Sequence, residues 1–158
     1  MKIFIDPEGK GNISVPNIGL AYISANLNLR KEEHKIIDQL TQPRPKNRFL
    51  EYRGDLFGIS VKMNTYREAQ KITKIIREKY GSVKIIWGGP HILCSLERIK
   101  RENPYVEPFV GEWDYTEDLD SLPFPRYFNF DSYDSLYKLW SLGRSSNPII
   151  TSRGCPYS

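Results

Sequence analysis

The chain has 158 residues, with 23 lysines and arginines against 19 aspartates and glutamates, and a formal charge of +4. This length predicts one domain with its own core and argues against two. Because the basic residues are interleaved with glutamates along predicted helices, composition argues against nucleic acid as a partner. The N-terminal segment lacks an apolar run long enough for a signal peptide or a membrane span, which predicts a cytoplasmic protein with no membrane partner.

The first part of the chain predicts two strands and a helix. Lys2–Asp6 has the alternation of a strand, and the loop after it is rich in glycine and proline. A helix opens at Pro16 or Asn17, where free amides could hold a phosphate. Its buried side is predicted from apolar residues: Ile18, Ala21, Tyr22, Ala25 and Leu29. His34–Asp38 predicts the second strand, and residues 47–52 predict a turn or two.

The middle of the chain predicts a strand, a helix and another strand. Residues 56–61 and 83–87 are short apolar runs, typical of strands that are buried on both faces. The helix between them is capped by Asn64 or Thr65 and ends at Gly81. Ligands bind in the crevice outside the carboxyl ends of parallel strands, so we expect the functional residues in the loops that follow these two strands.

The last third predicts a helix, an edge strand and an extension. Residues 93–101 form the helix, with Leu93, Leu96 and Ile99 inward, and residues 105–110 form a fifth strand that Pro108 places at a sheet edge. The elements of residues 1–112 predict an α/β, flavodoxin-like (Rossmann-like), three-layer domain with a parallel sheet of order 2-1-3-4-5. Residues 113–158 are an aromatic-rich C-terminal extension. We expect its aromatic side chains to cover one sheet face in place of a further helix: Phe124, Tyr127, Phe128, Phe130, Tyr137 and Trp140.

Several motifs together resemble one known family. They are the helix PNIGLAYISANL, the strand ends GISVKMNTY and WGGPH, and the tail DLDSLPFPRY followed by IITSRGCPYS. This set resembles the N-terminal part of cobalamin-binding-domain radical S-adenosylmethionine proteins, over nearly the whole chain. SRGCPYS is the most specific part of the resemblance, and the strand and helix pattern is the weakest.

The resemblance implies a cobalamin-binding module of a radical S-adenosylmethionine enzyme. Such a module presents a corrinoid, which can carry a methyl group, to a catalytic barrel. The barrel would be supplied in cis, after residues 113–158, or by a partner protein. The module alone would not be a catalyst, and no catalytic residue is assigned to it.

The tail also resembles the beginning of an iron–sulfur motif. In the family, TSRGCPYSC begins CxxxCxxC, whose thiolates hold three irons of a four-iron four-sulfur cluster, while the fourth iron binds S-adenosylmethionine. Cys155 corresponds to the first thiolate. Because one thiolate cannot hold a cluster, the cluster and S-adenosylmethionine are expected only in a longer protein. In the 158-residue chain, an exposed and non-functional Cys155 is favoured over a metal ligand.

The resemblance places the nucleotide tail of the corrinoid in a slot between a hydroxyl after the third strand and a glycine pair after the fourth. The candidate cofactor-binding residues around this slot are Asn17, Gly19, Ser60, Val61, Gly88, Gly89, Pro90 and His91. Gly88-Gly89-Pro90 fits a tight turn equally well, and His91 fits a helix cap or a solvent-facing side chain better. The Asp-x-His-x-x-Gly motif that supplies a lower axial histidine is absent, since the segment from Asp6 reads DPEGKGN.

Two other functions stay open. A cofactor-free remnant domain would act as a protein-interaction module through its aromatic tail, and it would also explain the absent histidine motif. An enzyme or receptor could use the same crevice for a flavin or a nucleotide. This last function is disfavoured because the chain has neither Gly-x-Gly-x-x-Gly nor a P-loop pattern.

Overall fold

The computed structural model describes residues 1–9, 16–39, 47–111, 118–127 and 129–130. At its centre is an all-parallel sheet with the strand order β2-β1-β3-β4-β5. The strands are β1 Lys2–Asp6, β2 His34–Asp38, β3 Leu56–Ser60, β4 Lys84–Gly88 and β5 Glu107–Pro108. The helices are α1 Ile18–Leu29, α2 Tyr66–Tyr80, α3 Pro90–Cys94 and α4 Leu96–Glu102. The predicted flavodoxin-like fold and its strand order are confirmed.

Side-chain alternation along β1 divides the core between the two faces of the sheet. Ile3 and Ile5 are fully buried and pack with Ile72 of α2 in the larger cluster. Phe4 points to the other face and packs with Leu20 of α1. Helices therefore cover both faces of the sheet. Within the described ranges, no helix combines the length and apolarity needed to cross a bilayer.

The buried side of α1 differs in part from the prediction. Ala21 and Ala25 are buried as expected, but Leu29 is 68% exposed. The other buried residues of the helix are Leu20, Ser24 and Leu27. Because α1 carries apolar residues on nearly every side, its sequence does not define a single buried stripe, and packing against the sheet selects one.

The predicted helix over residues 93–101 is in fact two short helices. The first, α3, begins at Pro90 directly after β4, and Ser95 separates it from α4. Ile92 and Ile99 are buried, whereas Leu93 is 45% exposed, contrary to the prediction. Because the chain leaves the helical conformation at Ser95, α3 and α4 do not share one buried stripe, and α3 places Ile92 toward the core and Leu93 outward. The edge strand β5 is also shorter than predicted, with two residues.

The described part of the extension packs on α1 and β2. Ile36 donates its backbone N–H to the carbonyl of Asn129 at 3.0 Å and forms a parallel bridge with Phe130. Tyr127 and Phe130 are buried in the cluster that contains Ile36, as predicted for the aromatic extension. Phe124 is 88% exposed, contrary to the prediction, because it precedes the contact with α1. The remaining predicted covering residues lie outside the described ranges: Phe128, Tyr137 and Trp140.

A buried hydrogen-bond network fastens the extension to the domain. His34 Nδ1 lies 2.8 Å from the carbonyl oxygen of Glu32, so Nδ1 is the donor and Nε2 is left as an acceptor. Asn129 Nδ2 donates to this Nε2 at 2.7 Å, and Ser24 Oγ lies 2.8 Å from it. The extension is therefore held by specific polar bonds as well as by its aromatic rings.

Candidate functional site

A groove lies beside α1 on the sheet face above β3 and β4, and we call it the sheet groove. Its volume is about 420 Å³, within the usual range for small-molecule sites. The backbone at Gly58 and Gly88 lies in its floor. Its walls are mainly apolar side chains: Phe4, Leu20, Ile23, Leu27 and Ile86. The groove therefore suits a flat, apolar group.

The structure brings most of the predicted cofactor-binding residues to this groove. Those that line it are Asn17, Gly19, Ser60, Gly88, Gly89 and Pro90. Ser60 and Gly88 are register partners on β3 and β4, so the hydroxyl and the glycine pair share one rim. The Val61 side chain is fully buried in the core of the opposite face, and His91 lines a different pocket. Cys155 lies outside the described residues.

Gly88 and Gly89 have different structural roles. Gly89 has φ +102°, and a Cβ there would lie 2.8 Å from the carbonyl oxygen of Val61 and 3.0 Å from its nitrogen. A Cβ built on Gly88 meets no atom of residues 1–9, 16–39, 47–111, 118–127 or 129–130 within 4 Å. Gly89 is thus required by the turn into α3, while Gly88 leaves space in the sheet groove that none of the residues described by the structure fills.

A buried carboxylate stands at the carboxyl-end rim of the groove. Asp6 is 6% exposed, and Lys62 Nζ lies 3.2 Å from both of its oxygens. Asn17 Nδ2 donates to Ser60 Oγ at 3.1 Å, and Asn17 Oδ1 accepts from the backbone N–H of Leu20 at 3.2 Å. Hydrogen bonds from Asn17 and Ser60 also favour the ionised form of Asp6. We call Asp6, Asn17, Ser60 and Lys62 the rim network.

Burial dominates the acidity of Asp6. It raises the pKa of this carboxyl above its usual value of 3.8, and the Lys62 ammonium and the hydrogen bonds of the rim network offset only part of the shift. Ionised Asp6 therefore costs more free energy in the folded protein than in the unfolded chain.

We expect Asp6→Asn to remove a pH-dependent loss of stability. Because the folded-state pKa is raised, the folded protein keeps the proton to higher pH, and its free energy of unfolding falls as pH rises from 3.8 through the folded pKa. Asparagine resembles the protonated carboxyl. The free energy of unfolding of the variant should therefore rise relative to that of the wild type as pH increases across this interval. Urea denaturation, followed by tryptophan fluorescence between about pH 2 and 7, measures the difference and covers the titration of both Asp6 and the control residue.

Asp55→Asn is the matched control for this prediction. A hydrogen bond from the N-terminal ammonium lowers the pKa of Asp55, so its stabilisation is present at high pH and is lost as pH falls. The free energy of unfolding of the Asp55 variant should fall relative to that of the wild type as pH rises, which is the opposite trend. If both variants follow the same trend, the assignment for Asp6 is wrong.

A second pocket, of about 650 Å³, is polar. Its lining carries both signs of charge, with Glu8 and Glu68 and with Arg67, Lys71 and Arg98, and it also includes His91. The His91 ring packs edge-on against the Tyr66 ring, with 5.3 Å between the ring centres. The Arg98 guanidinium lies 5.1 Å from the centre of the Tyr66 ring. The Tyr66 hydroxyl donates to Glu102 at 2.7 Å, which joins α2 to α4. Burial, and then Glu102, raise the pKa of Tyr66. His91 therefore has a packing role beside α2.

Sequence reasoning misses part of the site. Asp6 and Lys62 are not among the predicted site residues, although each ends or closely follows a strand at its carboxyl end, which is the available signal. In the sequence, Gly58 indicates only a break in an apolar run. A Cβ there would lie 2.5 Å from the Phe4 ring, so this glycine allows Phe4 to lie across the sheet beside the groove.

Comparisons with known proteins give a distant likeness. No protein-family model and no solved structure matches the chain. The chain is similar to an uncharacterized methyltransferase of Pyrococcus horikoshii, with 27% identity over 183 aligned positions that cover 90% of this chain. It spans 39% of the length of that relative. Over most of its length, then, this chain is similar to part of a longer protein that is named a methyltransferase.

Proposed function

We propose that this chain is the cobalamin-binding module of a radical S-adenosylmethionine enzyme of the methyltransferase type. It presents a corrinoid to a catalytic barrel that lies outside these 158 residues. The open space at Gly88 is the observation that carries the proposal, because no residue in the described part of the chain requires a glycine at that position. The likeness to a longer protein named a methyltransferase supports the methyl-transfer part.

The residues of the sheet groove fit the nucleotide tail of a corrinoid. Phe4, Ile23 and Ile86 offer apolar walls to its flat base, and Gly88 lets that base approach the sheet. When bound, the corrinoid supplies a cobalt centre able to carry a methyl group. The residues of this chain bind and orient it. In a protein that continues beyond Ser158, Cys155 would be the first ligand of a four-iron four-sulfur cluster.

Gly88→Leu should weaken corrinoid retention while leaving the fold intact. The new side chain would fill the open space of the groove, and we expect binding of hydroxocobalamin to weaken at least about tenfold. The protein is incubated with hydroxocobalamin and desalted, and its visible spectrum is recorded. Ser82→Leu is the matched control, because Ser82 is exposed just before the opposite end of the same strand.

The result separates the proposal from its rival. Retained corrinoid bands in the wild type and in Ser82→Leu, but not in Gly88→Leu, support the proposal. A colourless wild-type protein would contradict the proposal and would favour the cofactor-free interaction module. Equal retention by all three proteins would show that the corrinoid binds outside the sheet groove.

A further inference from the structure

We infer that the second pocket, of about 650 Å³, is a binding site for a small molecule that carries a phosphate monoester group. Its volume lies within the usual range for small-molecule sites. Among the described residues, no side chain lines both this pocket and the sheet groove. The inference therefore concerns a different site from the proposed corrinoid site, and it does not depend on that proposal.

Basic side chains reach this pocket from three helices. Arg67 belongs to α2, His91 to α3 and Arg98 to α4, and all three line the pocket. His91 and Arg98 both pack against the ring of Tyr66, and Arg67 is the next residue after Tyr66 in α2. Hydrogen-bond donors from three helices thus surround one aromatic ring. Such an arrangement suits a group with several acceptor oxygens.

These basic side chains still have N–H donors to offer. Within the described part of the chain, the Arg67 guanidinium has no hydrogen-bond acceptor, and the ring nitrogens of His91 have no hydrogen-bond partner. Arg98 uses its Nε to donate to Glu102 at 2.8 Å, which leaves both terminal nitrogens for a ligand. Because Glu102 and the Tyr66 ring already orient this guanidinium, binding a ligand costs it less conformational entropy.

The acidic side chains of the pocket are less available to a ligand. Glu68 accepts from Lys71 at 3.0 Å, so these two opposite charges offset each other within the lining. Glu8 also has an interaction partner. A cationic ligand would therefore compete with existing contacts, whereas an anion would meet donors that the described residues leave unused. The pocket favours an anion.

A phosphate monoester fits these donors better than a single carboxylate does. It has three terminal oxygens and a charge of about −1.5 to −2 at neutral pH, so it can accept from several donors at once. A carboxylate has two oxygens, and one guanidinium can bind both of them. Only the phosphate group would use Arg67, His91 and Arg98 together.

Calorimetric titration of the whole chain tests the inference. Inorganic phosphate is the probe, and acetate is the comparison for a carboxylate. Both titrations are run at pH 7.5 and at one ionic strength, because salt screens exposed charges. We expect a dissociation constant of about 1 mM or lower for phosphate, and binding of acetate that is at least about tenfold weaker.

Two arginine variants assign the binding to the pocket. Arg67 is exposed, so Arg67→Gln removes a donor at little risk to the fold, and it should weaken phosphate binding about fivefold or more. Arg101→Gln is the matched control. It removes the same charge from an exposed position on α4 that does not line the pocket, and it should leave the dissociation constant unchanged.

Three results would overturn the inference. If no phosphate binds up to about 10 mM, the pocket is not a phosphate site. If acetate binds as tightly as phosphate, the site takes carboxylates and the phosphate assignment is wrong. If both arginine variants weaken binding equally, phosphate is attracted only by the general positive charge of the surface. None of these results bears on corrinoid retention, which Gly88→Leu tests separately.

Discussion

Gly89→Ala is expected to lower the free energy of unfolding by about 2 to 4 kcal/mol. The backbone at Gly89 has φ +102° and ψ 172°, a conformation that is essentially restricted to glycine. The added methyl group would also press on the backbone of Val61, which is fixed by its own bonds. Val61 donates to the carbonyl of Gly88 at 2.7 Å and accepts from the N–H of His91. It cannot move aside without disturbing the join between β3, β4 and α3.

Gly88→Ala is the matched control, one residue earlier in the chain. Its methyl group would enter open space, so we expect the free energy of unfolding to change by no more than about 1 kcal/mol. Urea denaturation, followed by tryptophan fluorescence, compares the two variants with the wild type. Equal destabilisation by the two alanines would contradict the division of roles between a turn glycine and a groove glycine.

Phe130→Ala is expected to cost about 3 kcal/mol of stability. The Phe130 ring is 3% exposed and packs on Tyr127 at 5.5 Å between ring centres, in a cluster with Ile36 and α1. Truncation removes this contact and leaves a cavity above β2. Thermal or urea denaturation measures the loss. Limited proteolysis should also cut the extension of the variant sooner.

Phe124→Ala controls for the aromatic character of the extension. Phe124 is 88% exposed, so its truncation should change stability by no more than about 0.5 kcal/mol. A large loss in this variant, or no loss in Phe130→Ala, would mean that the contacts of Tyr127 and Phe130 do not hold the extension on α1 and β2.

Much of the architecture could be predicted because local patterns determine it. Apolar runs predict the strands, and Gly81 correctly marks the end of α2. The errors lie where tertiary contacts decide. Leu29 and Leu93 have apolar side chains at plausible helical positions, but the phase of each helix is set by how the chain enters it and by what it packs on. In α3, entry is set by the Gly89 turn.

The candidate site was predictable where it follows strand ends, and not where it depends on long-range pairing. Ser60 and Gly88 could be placed together because each ends a neighbouring parallel strand. Asp6 and Lys62 end or follow strands that the predicted order already makes neighbours, but the ion pair between their side chains required coordinates. The separate roles of Gly88 and Gly89 also required coordinates, because both glycines look alike in the sequence.

The two outermost strands of this sheet are both obstructed against further pairing. On β2, the outward N–H of Ile36 is occupied by Asn129, and on β5 Pro108 has no N–H to offer. Unprotected sheet edges are where copies of a protein join into aggregates. The docked extension thus protects the β2 edge from pairing with another copy of the chain. If the extension undocked, the exposed edge could pair with strands of other molecules.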